Sequence, residues 1–340
     1  MTRPAAADRA RRVRTDVWLA ALDEVVLTPE AYRERTMTRQ QALNWLFCPP
    51  ETFAALTAAG LPEVGRAPDT SEPLYDFHDV VNVGIVAGEG TTTGELSERA
   101  LLRYAASAPQ TWVAPRQWSV ELSYTCSHQD RCTQGAWEVA DPALEEFDGQ
   151  LHALSVMRSA AGSAIAVQVR CTVQGSRRDV VAPEIREVYR QALADFRSGR
   201  RRYQWMPAPL RHDPARAKAL GLADCLVTSG ELAADLAAAG YTTRTRTVSA
   251  LGLAGIDHAW AEVMDTDGQW KFLDPVFAHL ALRRPGTRPE YEEFCLGSSS
   301  NRLLPWAAAA TDGVVRHHCA HPTSIITTTI TTGAPHDART

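Results

Sequence analysis

GLADCLVTSGELAADLAAAG (residues 221–240) and IDHAWAEVMDTDGQWKFLDP (residues 256–275) are the two stretches from which this chain is best read. The first has the marks of a helix at both ends. Asp224 can cap its start, Leu226, Ala233, Leu236 and Ala237 build an apolar face, and Gly240 supplies a left-handed residue to end it. Cys225 is therefore expected in the first turn. The second stretch reads as a β-hairpin in which His258, Trp260, Glu262 and Met264 share one face of the first strand and Trp270, Phe272 and Asp274 share one face of the second. Loop length decides which of these side chains meet. A three-residue loop, Thr266, Asp267 and Gly268 with the glycine left-handed, sets Asp274 opposite Trp260 and diagonal to His258 on the same face. A loop one residue longer would put His258 and Asp274 on opposite faces. The three-residue form is expected.

These three residue types suit one chemistry. A thiol attacks as thiolate, and free cysteine, with a pKa of about 8.5, is mostly protonated at neutral pH. The first turn of a helix helps, because its unpaired N–H groups and positive dipole end favour a negative charge there. A histidine within hydrogen-bond reach can act as base and later as acid, and a carboxylate on its other ring nitrogen fixes the tautomer. Cys225, His258 and Asp274 fit these parts. Taken singly, each has an ordinary structural explanation: a small buried hydrophobe, a satisfied strand histidine, a turn aspartate. It is their order and setting that point to catalysis.

In that order and setting the residues resemble the transglutaminase-like superfamily, with Cys225 at a helix start, His258, Ala259 and Trp260 in a strand, and Trp270, Asp274 and Pro275 in the next. The resemblance covers residues 205 to 280. It implies an α+β, papain-related core with the nucleophile helix packed on an antiparallel sheet, and acyl transfer from an amide or thioester through an acyl-Cys225 intermediate to an amine. Hydrolysis by a peptidase or amidase with the same triad, and an inactive module that keeps the fold, are the alternatives. The oxyanion donor that the family places upstream has its nearest counterparts in Gln204 and Trp205. Trp260 and the basic run Arg200, Arg201 and Arg202 are candidate substrate contacts, the arginines for a carboxylate or phosphate. No cofactor is implied.

Composition frames this reading. The chain has 340 residues, 45% of them hydrophobic, enough for a sizeable core. A net charge of −5 argues against nucleic acid as partner. No apolar run of the length needed to span a bilayer occurs, and the N-terminus lacks a secretory apolar segment. Seven cysteines, an odd number, suit a reducing compartment, so a cytoplasmic location is expected.

The division expected is a helical region over 1–75, an accessory α/β region over 76–204, the catalytic core over 205–305 and an extension over 306–340. Within it, Trp18, Leu19, Leu22 and Val26 form a helical stripe, and a second helix runs from Thr38 toward Phe47 until Pro49 and Pro50 break it. Val80 to Val86 reads as an apolar strand. The glycine-rich loop that follows, Gly88 to Gly94, lacks a phosphate-loop lysine and carries Glu89, and Thr92 and Glu95 make a capping box for a helix to about Ala106. Alternation marks strands at Trp118 to Tyr124 and Ile165 to Val169, a helix is expected from Ala182 to Phe196, and Ser324 to Thr332 has strand propensity. Asp265, Asp267 and Gly268 echo a calcium loop, but Val276 stands where a bidentate glutamate belongs, so they read as a turn. Cys126, His128, Cys132, His317, His318, Cys319 and His321 are zinc-ligand types at spacings that fit no familiar finger, and no metal is expected.

Overall fold

The computed structural model describes residues 15–126, 136–160, 162–251, 256–318 and 326–333. The chain forms two compact units, one of residues 1–99 with 204–222 and a larger one of residues 100–203 with 223–340. The breaks thus fall at other places than the four-part division expected. Residues 205 to 222, expected to open the catalytic core, pack with the N-terminal elements instead.

The larger unit is α+β. Its central sheet has five antiparallel strands in the order Leu296–Gly297, Trp270–Leu273, Ile256–Met264, Thr243–Ala250 and Leu303–Pro305. The hairpin has the expected register. Ala261 faces Leu273, Met264 faces Trp270, the Asp265 N–H donates to the Gln269 carbonyl, and Gly268 is left-handed at φ +74°. Glycine is needed there, since a side chain at that φ would be strained. The helix Cys225–Ala238 lies against the two longest strands, and the helix Pro183–Arg197 packs against it in turn. Leu232 and Leu236 anchor the Cys225 helix by burial.

A second antiparallel sheet orders Ile326–Gly333, Arg116–Cys126, Ala164–Val173 and Gln150–Arg158. The strands expected at Trp118 and Ile165 are its centre. Their inward residues Val120, Leu122, Val167 and Val169 share a core with Leu304 and Trp306 of the other sheet's edge.

The smaller unit packs the helices Thr15–Glu24, Arg39–Leu46, Pro50–Ala58 and Phe77–Ala87 with a three-stranded sheet, around Trp18, Leu46, Phe53, Leu56 and Val80. Two expectations are corrected here. Val80 to Val86 is helix, because Asp76 caps its start, accepting from the His78 and Asp79 N–H groups, and a helix buried on nearly all sides has no polar face to show its period. The helix from Arg39 already ends at Leu46 on a left-handed Phe47, and Pro50 starts the next helix, a place where its missing N–H costs nothing. The capping box at Thr92 and Glu95 forms as expected. The Glu95 carboxylate also accepts from the Gly90 and Thr91 N–H groups. A loop that could have cradled a phosphate is therefore filled by the chain's own anion.

Candidate functional site

Cys225 is the first residue of its helix. Asp224 stands at the N-cap, where its carboxylate accepts from the Val227 N–H at 3.0 Å and its carbonyl from the Thr228 N–H. The cap fixes the chain's entry and so the place of the sulfur at the positive end of the helix.

His258 donates from Nε2 to Asp274 Oδ2 at 2.6 Å, and both side chains are buried. Its second hydrogen-bond partner is the Cys225 side chain, so Nδ1 is the ring nitrogen left for the thiol. One imidazole thus links a sulfur to a carboxylate. Burial alone would depress the His258 pKa. The Asp274 charge, the hydrogen bond to it and the Cys225 side chain together outweigh burial and raise it to about 10. The site therefore favours an imidazolium over a neutral ring.

Asp274 does more than the hairpin reading foresaw. It is the N-cap of the helix Pro275–Leu282, accepting the Phe277 N–H on Oδ1 at 2.9 Å while Oδ2 serves His258. The Phe277 ring stacks on the imidazole at 3.8 Å between centroids and 21° between planes, covering the bond from water. The sequence carried a signal for this, because aspartate, proline and then an apolar run is a helix start. The Asp274 N–H donates to the Cys295 carbonyl at 3.1 Å, and Cys295 belongs to a buried group in which the Tyr104 and Tyr291 hydroxyls meet at 2.6 Å.

The other candidates fare differently. Trp260 is fully buried between Phe147 and Phe272 and donates its indole N–H to Glu262 at 2.8 Å, so it offers no face to a substrate. That correction follows from the sheet having both faces covered. Glu262, wholly buried, also binds the guanidinium groups of Arg244 and Arg246, and both of these reach Glu146. Alternation showed where Glu262 sits but not what it meets. Gln204 bonds the Val26 N–H and carbonyl with its amide, and the Trp205 backbone is held at both ends by Asn82, each within the smaller unit. The Gln204 amide is thus committed to the backbone and supports no oxyanion role. Arg200 pairs with Asp195 and Arg201 with Glu231, and the contacts of Arg202 are with the protein too.

Of the zinc-type residues, Cys126 is buried, His317 stacks on Trp137 at 3.9 Å and His318 lies 3.4 Å from Glu138. His128, Cys132, Cys319 and His321 lie outside the described residues. Among the described residues no three metal-ligating side chains are grouped to hold an ion, and no helix is long and apolar enough to cross a membrane. Cys48, Cys126, Cys171, Cys225 and Cys295 are all buried or nearly so, and none of the five is in a disulfide.

No family model matches the chain, and no curated protein does. Among solved structures it is similar to a candidate cysteine protease from Cytophaga hutchinsonii, at 9% identity and a TM-score of 0.34, covering 65% of this chain and 91% of that one. At that level the likeness carries no argument, and the functional reading rests on the site itself.

Proposed function

We propose that the protein is a cysteine-dependent acyltransferase of the transglutaminase-like kind, in which Cys225 is the nucleophile, His258 the base and acid, and Asp274 the group that orients His258. The observation that carries this reading is the single imidazole bonded to Asp274 on one side and to Cys225 on the other. His258 holds the proton drawn from the thiol as an imidazolium, the sulfur attacks the carbonyl carbon of an amide or thioester, and the proton passes to the departing amine or thiol as its bond breaks. An amine then attacks the acyl-Cys225, gives its proton to His258, and leaves as an amide while the thiol is restored. The Cys225 backbone N–H is the candidate oxyanion donor, a contribution on the order of 3 kcal/mol.

Incubation with a panel of amide and thioester donors, followed by intact-mass measurement, tests the proposal. An adduct on Cys225, absent from Cys225→Ala and discharged faster by an added amine than by buffer, is the expected result. A folded protein that carries no adduct with any donor would favour the inactive module, and discharge indifferent to amine would favour the hydrolase.

A further inference from the structure

Three arginines of the larger unit gather around two aromatic rings. The Arg116 guanidinium lies 4.7 Å from the Trp118 ring centre, and that of Arg302 lies 5.2 Å from the same ring and 5.7 Å from Tyr104. Arg103, next to Tyr104 in the chain, is close enough to act on Arg302 electrostatically. Among the described residues none of the three guanidinium groups has a carboxylate or hydrogen-bond partner, whereas Arg186, Arg197 and Arg246 of the same unit are each paired with a glutamate. Burial first, then Arg116 and, more weakly, Arg103, against an opposing effect of Tyr104, pull Arg302 down to about 10. Stacking on an aromatic face offsets little of this like-charge repulsion at a partly exposed site, and an anion bound among the three would relieve it.

The trio also has a telling position. Arg302 directly precedes the edge strand Leu303–Pro305, in which Pro305 pairs with Val248 and Val248 pairs with His258. Two strand spacings across and three residues along put Arg302 on the order of 14 Å from His258 between Cα atoms, at the end of the sheet where the His258 strand begins. An arginine arm and a substrate of modest length span that gap.

We propose that Arg103, Arg116 and Arg302 form a subsite for a phosphate or carboxylate group carried by a substrate of Cys225. Flat guanidinium groups held on aromatic faces keep their N–H edges free for such an oxyanion. The proposal rests on the acyl-transfer reading for its substrate but not for its anion.

Titration of the intact protein with inorganic phosphate, at fixed ionic strength, tests the anion site. Saturable binding, weakened about tenfold in Arg302→Gln and similarly in the more exposed Arg116→Gln, is expected from the loss of one charge-assisted contact. Absence of saturable binding, or wild-type affinity in both folded variants, overturns the site. Its link to Cys225 is read from the ratio of alkylation rates by iodoacetate, an anion, and iodoacetamide, which is neutral. That ratio should fall several-fold in both variants, because the trio no longer concentrates the anion near the thiol. An unchanged ratio overturns the link. Slow reaction of Cys225 with iodoacetamide in the wild type would tell against the catalytic reading alone, leaving phosphate binding to be judged by itself.

Discussion

Asp274 holds a helix start with one oxygen and an imidazole with the other, so its removal has effects that can be separated. Asp274→Asn can keep the cap through its amide oxygen, but it loses the charge that outweighs burial at His258. In the wild type the His258 ring should stay protonated until pH approaches 10, as read by NMR of the ring protons, and in Asp274→Asn it should titrate below the ordinary 6.5. A folded-state value raised above the unfolded one gives stability that is fully present below pH 6.5 and lost as pH rises toward 10. The stability gap between wild type and Asp274→Asn, from urea midpoints, should therefore narrow over that window, and a constant gap would contradict it. Glu262 is a second case. Its replacement by Ala strands the buried Arg246 guanidinium and the Trp260 indole, and a loss of about 3–5 kcal/mol is expected in the same measurement. A loss under about 1 kcal/mol would show that the arginines are satisfied without it. The types of these residues were plain from the sequence. Their partners were not, because Glu146 and Arg246 lie far apart in the chain and meet only through the fold.

At the scale of elements, what could be read was what local physics decides. The Cys225 helix carried its own cap and stop, and the hairpin its glycine and alternation, so the helix start, the register and the shared face of His258 and Asp274 all followed. The run Val80 to Val86 failed for the opposite reason, since burial on nearly every side erases the polar positions that tell 3.6 from 2. Its decisive signal was Asp76, three residues before Asp79, rather than the run itself. The hairpin reading yields its own test. A second glycine inserted after Gly268 lengthens the loop by one residue and, if the register follows, turns His258 and Asp274 to opposite faces. We expect a cooperatively folded but weakened protein, by thermal melting, whose Cys225 alkylation falls about a hundredfold, the size of general base catalysis at its lower end. Wild-type reactivity in that variant would mean that the register does not set the site.

The whole molecule adds what neither residue nor element shows. Residues 204–222 fold with the N-terminal 99 through contacts such as Gln204 with Val26 and Trp205 with Asn82, and nothing local to that segment announces its partners. The same non-local closure brings His258 from the sheet, Asp274 from a helix cap and Cys225 from another helix into one hydrogen-bonded line. Whether that line activates the sulfur is measured by the rate at which iodoacetamide modifies Cys225 at pH 7, followed by peptide mass, in the wild type and in His258→Gln. If His258 draws off the thiol proton, Cys225 should react faster than the other cysteines and slow by about a hundredfold in the variant, within the usual reach of a general base. Equal rates in the two proteins, both folded, would contradict it.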